Sequence, residues 1–527
     1  MNDRPHAPRS PRAARRAGAP ALLLTALVGA CSSGEDMSVG NSVSATMGLS
    51  ATSQGSGETE ATGGTTDGAT DTATDGATDG TDTTSATTTT TDGTASSDPS
   101  GDPSTTDTTT TTTDTTDGTT GDPQGCQGGV VGPLCEARFD AVDNGWVRVD
   151  RWFDPTPAIP ASEYPPDGRG DVGGQRLEFF GAPQPEAGAF LFYYAPGWDQ
   201  GDGVPILLVH GANDSPDRAW ANPNESGAYG CGDTMCPETG MMQALAGAGY
   251  RVFALGLGHR QGDNFTAAHL IHDALAIVRD RTGAAQVDVI GWSMGAFSAR
   301  MYASGVRAAW GAEYSDEIRR LILIGGPNRG FDYLFRYGIN HDLFIYPECT
   351  EPLMVAPINA PAPHTATTCY GVLYQHPELS IYATDAGDFY PGQRQMLYRW
   401  DDVYAIPQTN QDWYTTYHGG KGFVSDGTGI DPALEDSLVA EIQGAGVPAS
   451  IATYLLCGDT KGDKNKAIPV IPNETSGPSD GVVFIESCTD KAGIGKLVDT
   501  EMIEQNHLKL GWHPDSIAQV MTWLAAP

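Results

Sequence analysis

The stretch that most limits what this chain can become runs from Val287 to Tyr302, VDVIGWSMGAFSARMY. Val287, Val289 and Ile290 make an apolar run that predicts a short buried strand. It stops at Gly291-Trp292-Ser293-Met294-Gly295, and a run of small residues suited to a helix follows. Strand, G-x-S-x-G turn and helix in succession hold a serine at a sharp, strained turn with its hydroxyl exposed. Gly291 and Gly295 lack side chains that would clash where strand and helix pack closely. The positive end of the helix favours a developing negative charge beside the serine. In a chain with 66 Gly the pentapeptide alone would mean little. The strand before it and the helix after it give it content, and they make Ser293 a candidate nucleophile.

The net charge of −36 averages over three unlike segments. Residues 1–31 predict an export signal, with Arg4, Arg9, Arg12, Arg15 and Arg16 ahead of an apolar run, Ala17 to Leu27. That run is short for a membrane span. It ends Leu27-Val28-Gly29-Ala30-Cys31, which resembles a bacterial lipobox whose cysteine becomes the lipidated N-terminus. The resemblance implies an outer-membrane or cell-surface lipoprotein anchored through Cys31. A plain signal peptide is the alternative. Residues 32–124 are Thr, Ser, Gly and Asp in loose repeats, without Lys, Arg or an aromatic residue. Such a segment cannot bury enough surface to offset its ordering entropy, so it predicts a disordered linker. As a flexible coil it would span about 50–60 Å. Its 16 acidic residues carry much of the net charge, which therefore says little about a catalytic partner and argues against nucleic acid.

Residues 125–527 hold all ten Trp and predict one large domain. Eight cysteines remain besides Cys31, and an even number in an exported chain suggests disulfides. The close sequential pairs are Cys126–Cys135, Cys231–Cys236, Cys349–Cys369 and Cys457–Cys488. No spacing suggests a metal site. Strands are expected at Arg176–Phe180, Ala189–Tyr194, Pro205–Val209, Tyr250–Leu255, Val287–Ile290, Leu321–Ile324 and Ala452–Cys457, with a further one at Val482–Ile485. Helices are expected at Glu238–Ala248, Asn264–Arg281 and Ile517–Leu524. In the second of these, Leu270, Ile271, Ala274, Leu275 and Val278 share one face. Strands alternating with helices predict an α/β fold with a mostly parallel central sheet and helices on both faces.

Several stretches resemble those of bacterial secreted lipases and esterases of the α/β-hydrolase fold. Thr282-Gly283 through Gly295 is similar to their "TG…VDxxGxSMG" stretch, and Gly325-Gly326-Pro327-Asn328-Arg329-Gly330 to their "GTPNRG". Val209-His210-Gly211 resembles their oxyanion loop. Ser479-Asp480-Gly481-Val482-Val483 resembles their acid motif and Asn506-His507-Leu508 their histidine motif. The likeness covers about 205–330 and 450–527. It implies a Ser293–Asp480–His507 triad in the chain order of this fold, with an oxyanion hole built from the Met294 and Ala212 amides. His210 is expected to shape the oxyanion loop. Two positions depart from the lipase pattern. Trp292 stands where true lipases usually carry His, and Lys509 where some place a calcium-binding Asp.

Each assignment has a rival. His513 competes with His507, but it precedes Pro514 and reads as the start of a helix. Asp459, directly after a strand, competes with Asp480, although its surroundings, Gly-Asp-Thr-Lys-Gly-Asp-Lys-Asn, read as a solvated turn. Residues 331–450 are rich in aromatics, and the α/β-hydrolase resemblance implies a cap or lid insertion there. The activity implied is hydrolysis of carboxylic esters or lipids without a cofactor. Amide or polyester hydrolysis on the same triad is an alternative, as is a non-catalytic surface-binding lipoprotein.

Overall fold

The computed structural model describes residues 130, 132–157, 176–182, 185–212, 214–221, 239–259, 261–336, 388, 390–406, 418–419, 424–425, 430–463 and 476–526. The segments expected as signal, anchor and linker, Cys31 included, lie outside the described residues, as do Cys126, Cys231, Cys236, Cys349 and Cys369.

A nine-stranded sheet carries the fold. Its strands are β1 (Leu134–Asp140), β2 (Arg148–Phe153), β3 (Ala189–Tyr194), β4 (Ile206–Val209), β5 (Val252–Leu257), β6 (Val287–Trp292), β7 (Ile318–Ile324), β10 (Ala452–Gly458) and β11 (Leu497–Ile503). Two short strands, β8 (His418–Gly419) and β9 (Val424–Ser425), pair separately. The spatial order is β1-β2-β3-β5-β4-β6-β7-β10-β11. The first four strands pair antiparallel, and from β5 onward every pairing is parallel. β6 sits between β4 and β7, and all six of its residues are buried.

Period-two alternation sorts the apolar side chains onto two faces. Phe190, Phe192, Tyr194, Leu207, Val209, Val287 and Val289 point into one core, together with α4 (Asn264–Thr282) and α5 (Met294–Ala303). Leu191, Tyr193, Ile206, Leu208, Ile290 and Trp292 point into the other. That second core also takes in α3 (Met241–Gly247) and the closing helix α10 (Pro514–Ala525). Helices therefore cover both faces. No described helix is long and apolar enough to cross a membrane.

Two expected strands are not strands. Leu177–Phe180 forms one helical turn, α1, entered through Arg176 in a left-handed conformation. Arg176 is held there by a two-pronged pair with the buried Asp217 and an ion pair to Asp143. Val482 and Val483 cannot join a ladder, because both their N–H groups donate to Asp480 Oδ1, at 3.0 and 2.7 Å. The chain turns and enters α9 (Ile485–Cys488) instead. Three strands of the nine-stranded sheet lacked an expectation, β1, β2 and β11, as did the separate pair β8 and β9.

Cys457 and Cys488 are bonded, joining the end of β10 to α9 across 31 residues of sequence. Cys135 is also disulfide-bonded, its partner lying outside the described residues. Closing the first of these loops contributes about 3–4 kcal/mol on the chain-entropy account. Replacing both Cys457 and Cys488 by Ala should lower the unfolding free energy by about that amount, read from denaturant midpoints at unchanged slope. An unchanged midpoint would contradict the estimate.

A buried polar cluster joins the residue after β2 to the first turns of α4. His269 Nε2 stands 3.0 Å from Asp154 Oδ2 and 3.8 Å from Asp273 Oδ2, and all three residues are buried. The three offer a possible cation cage by distance. The histidine argues otherwise. Its Nδ1 accepts the Ala312 N–H at 3.1 Å, which leaves the proton on Nε2, directed at Asp154. A cation would need that lone pair. Burial, reinforced by the neighbouring Asp154, pushes the Asp273 carboxyl up to about 9. The folded state thus holds a proton that the unfolded chain releases near pH 4. Stability from this group is complete at acid pH and falls as pH rises towards 9, by up to about 1.4 kcal/mol per unit. Asp273→Asn offers Asp154 an N–H donor at every pH and should flatten that part of the curve. Thermal melts of both proteins from acid to alkaline pH test it, and parallel curves would sink the assignment.

Candidate active site

The parallel strands end on one side of the sheet, and the candidate residues gather there, as ligand sites do in open α/β sheets. Ser293 follows the last residue of β6. Its φ of 57° and ψ of −123° are costly for a residue with a side chain. The turn is held from both ends: Ser293 N–H donates to Ile324 O of β7 at 2.9 Å, and Ser293 O accepts from Phe297 N of α5 at 3.1 Å. Both flanking glycines are sterically required. A Cβ on Gly291 would stand 2.6 Å from Gly295 O, and one on Gly295 would stand 2.3 Å from Val209 O.

His507 begins a short 3-10 turn just after β11, capped by the Asn506 side chain. Its Nε2 lies 2.8 Å from Ser293 Oγ, and its Nδ1 lies 2.8 Å from Asp480 Oδ2. Asp480 is buried, and its other oxygen takes the Val482 and Val483 amides. Gly481, at φ +97°, makes the turn that allows this. The chain locks the pair a second time through His507 N–H to Asp480 O, 2.8 Å. An ionised carboxylate only accepts, so it holds the proton on Nδ1 and leaves the Nε2 lone pair facing the serine hydroxyl. That is the tautomer a general base needs.

Met294 is the first residue of α5, so its N–H has no acceptor within the helix. Gly211 follows β4 and approaches closely: a Cβ there would stand 2.8 Å from Ser293 Cβ. His210 braces this loop. Its Nε2 accepts Leu257 N–H at 3.2 Å, so its Nδ1 carries the proton and donates to Gly211 O at 2.8 Å. Ala212, half-buried, comes next in the chain.

The rivals occupy other roles. Asp459 Oδ1 accepts Lys461 N–H at 2.8 Å, the local turn its sequence suggests. His513 caps α10, accepting from Asp515 N. Among the aromatics expected in a cap, Phe331, Tyr333, Phe335 and Tyr390 belong to the main core, and Trp400 is fully buried against Phe484. Tyr337, Phe344, Tyr346, Trp413, Tyr414 and Tyr417 lie outside the described residues.

Some contributors had no expectation. Trp292 lies beside the imidazole, ring centroids 6.2 Å apart and planes 34° apart. Gly325 and Gly458 clear space for the histidine and the acid. A Cβ on Gly325 would come within 3.2 Å of His507 Cε1, and one on Gly458 within 2.7 Å of Asp480 Cβ. The available signal was a glycine at the end of each parallel strand. The Gly325–Gly330 loop is tied to α9, with Asn328 Nδ2 donating to Cys488 O and Ser487 Oγ to Gly330 O, both at 2.6 Å.

Residues 204–344 match the family described as alpha/beta hydrolase fold. The chain has the α/β-hydrolase fold. The matched span includes Gly211 and Ser293 and ends before Asp480 and His507. A Bacillus licheniformis lipase in mature form is similar at 14% identity, over 62% of this chain and 94% of that one, with a TM-score of 0.34. A Staphylococcus hyicus lipase is similar at 13%, over 62% and 94%, TM-score 0.33. A Pyrococcus furiosus esterase is similar at 12%, over 64% and 87%, TM-score 0.30. No curated protein sequence matches the chain.

Proposed function

We propose that this α/β-hydrolase-fold chain is an exported serine hydrolase that cleaves carboxylic esters, of lipase or esterase type. The observation that carries the reading is the unbroken line of hydrogen bonds from Ser293 Oγ through the His507 imidazole to Asp480. Ser293 Oγ attacks the acyl carbon and its proton passes to His507 Nε2. The negative oxygen that forms is held by the Met294 and Ala212 amides. His507 returns the proton to the leaving alkoxide, and an acyl-Ser293 ester remains. Water, losing its proton to His507, repeats the sequence and frees the acid. Asp480 keeps the imidazole in one tautomer and offsets the charge it gains.

A fluorophosphonate probe tests the nucleophile. One label per chain, mapped to Ser293 and absent after Ser293→Ala, supports the reading. No labelling would favour a surface-binding protein. Esters graded by chain length, with matched amides and a polyester, then sort the substrate class. The rest of the chain fits this activity as a lipoprotein signal peptide of residues 1–31, cleaved so that Cys31 becomes the lipidated N-terminal anchor, a linker of 32–124, and a catalytic domain of 125–527 with a cap drawn from about 331–450. Mass spectrometry of the membrane fraction tests the anchor, since an unmodified soluble chain starting elsewhere would remove it.

A further inference from the structure

Helix α7 (Pro391–Gln395) lies between β7 and β10 in the chain, yet it packs on the first turn of α5. A Cβ on Gly392 would stand 2.9 Å from Met294 Sδ and 2.3 Å from Gly262 O. Apolar contact alone would leave such a short helix free to slide. A buried polar network prevents that. Asn264, with no exposed surface, is at its centre. Its Nδ2 donates to Gly392 O at 3.1 Å and Gln395 Oε1 at 3.0 Å, and its backbone N–H donates to Gln395 Oε1 at 2.7 Å. Its Oδ1 accepts from Ser298 Oγ at 2.7 Å, one turn beyond Met294 on α5. Gly392 O can only accept, which fixes the orientation of the amide. Gln395 Nε2 donates in turn to Asp263 Oδ1, while Asp263 Oδ2 caps α4 through Thr266 N–H at 2.8 Å. A fully satisfied buried network defines one geometry, where a greasy contact would permit several.

We propose that Asn264 and Gln395 are positioning residues, latching α7 against Met294 so that the Met294 N–H stays aimed at the oxyanion. This rests on the serine-hydrolase reading above. The latch acts on no substrate atom. It keeps the buried side chain of Met294 pressed against α7, so that the first peptide of α5 cannot rock. Preorganised donors are worth most when they need not move.

Gln395→Glu is the telling variant. It keeps the shape and the acceptor for Asn264, but it sets a second carboxyl oxygen against Asp263 Oδ1. At acid pH one proton bridges the two groups. Burial already raises the Asp263 carboxyl above the usual range, which helps to retain that proton. At higher pH the pair repels and α7 loosens. Relative to wild type, kcat should therefore fall on the order of 10- to 100-fold as pH rises from about 5 to about 8, with KM nearly unchanged. The rate of fluorophosphonate labelling should fall in step, while the final stoichiometry stays at one. Adding Asp263→Asn restores a donor to the bridge and should return kcat to within a few-fold of wild type at all pH. A Gln395→Glu protein with wild-type kcat across the range would overturn the latch. So would a loss of kcat that is independent of pH and not rescued by Asp263→Asn. A wild-type chain that neither labels nor hydrolyses would overturn the serine-hydrolase reading and the latch together.

Discussion

Ser293→Ala is expected to lower kcat for ester hydrolysis by on the order of 10⁶, the scale on which removing a triad nucleophile acts. It should leave the thermal midpoint nearly unchanged. The hydroxyl is half-exposed and its hydrogen bond is to His507, so nothing in either core depends on it. Alanine also carries a Cβ, so the left-handed backbone at φ 57° is no more strained than before. The turn is fixed by backbone bonds to Ile324 and Phe297, which the substitution spares. Oxyanion donors and binding alone leave about 10³–10⁴-fold catalysis over water. Activity much above that remnant, in a folded Ser293→Ala protein, would assign the nucleophile elsewhere.

The Ser293 turn was legible because some of its contacts are local. Strand, two glycines and a helix are contiguous, and Gly291 answers to Gly295 O only four residues away, although Gly295 itself faces the end of β4. The central parallel strands were legible because both of their faces are buried, which makes continuous apolar runs. β11 was not, since Val498 and Met502 are exposed on an edge strand and the pattern is mixed. β1 is also an edge strand and shows the same mixture. Val482–Ile485 misled because Val482, Val483 and Phe484 are buried, as in a strand, while the amides of the two valines serve a carboxylate. Burial can be read from composition, but the destination of an N–H cannot. The α7 latch was illegible for a related reason: Asn264 and Gln395 are 131 residues apart, and neither carries a motif.

The acid is where sequence alone was most evenly balanced, and the fold explains why. Both candidates sit beside the same strand end. Thr460 N–H donates to Ser479 O at 3.0 Å, so the Asp459 turn and the Asp480 turn lie edge to edge, and Asp459 N–H reaches back to Ile503 O at 2.9 Å. Chain order and a strand-end position therefore fit either one. What separates them is where each carboxylate spends its oxygens. Asp480 gives Oδ2 to His507 Nδ1 and fixes Oδ1 with two amides, so it cannot swing away. Asp459 gives Oδ1 to Lys461 N–H, two residues on, at the rim of the fold. Asp480→Asn should thus keep KM close to wild type and cut kcat by a factor of about 10⁴, because an amide no longer holds the proton on Nδ1. The variant should also slow fluorophosphonate labelling without abolishing it, since Ser293 and the oxyanion donors remain in place. Asp459→Asn should cost less than about threefold in kcat, as Asn closes the same local turn. The two variants measured side by side on one ester decide the assignment. If Asp459→Asn suffers the large loss and Asp480→Asn does not, then the acid that orients His507 during turnover is Asp459, and the Asp480 contact belongs only to the resting state.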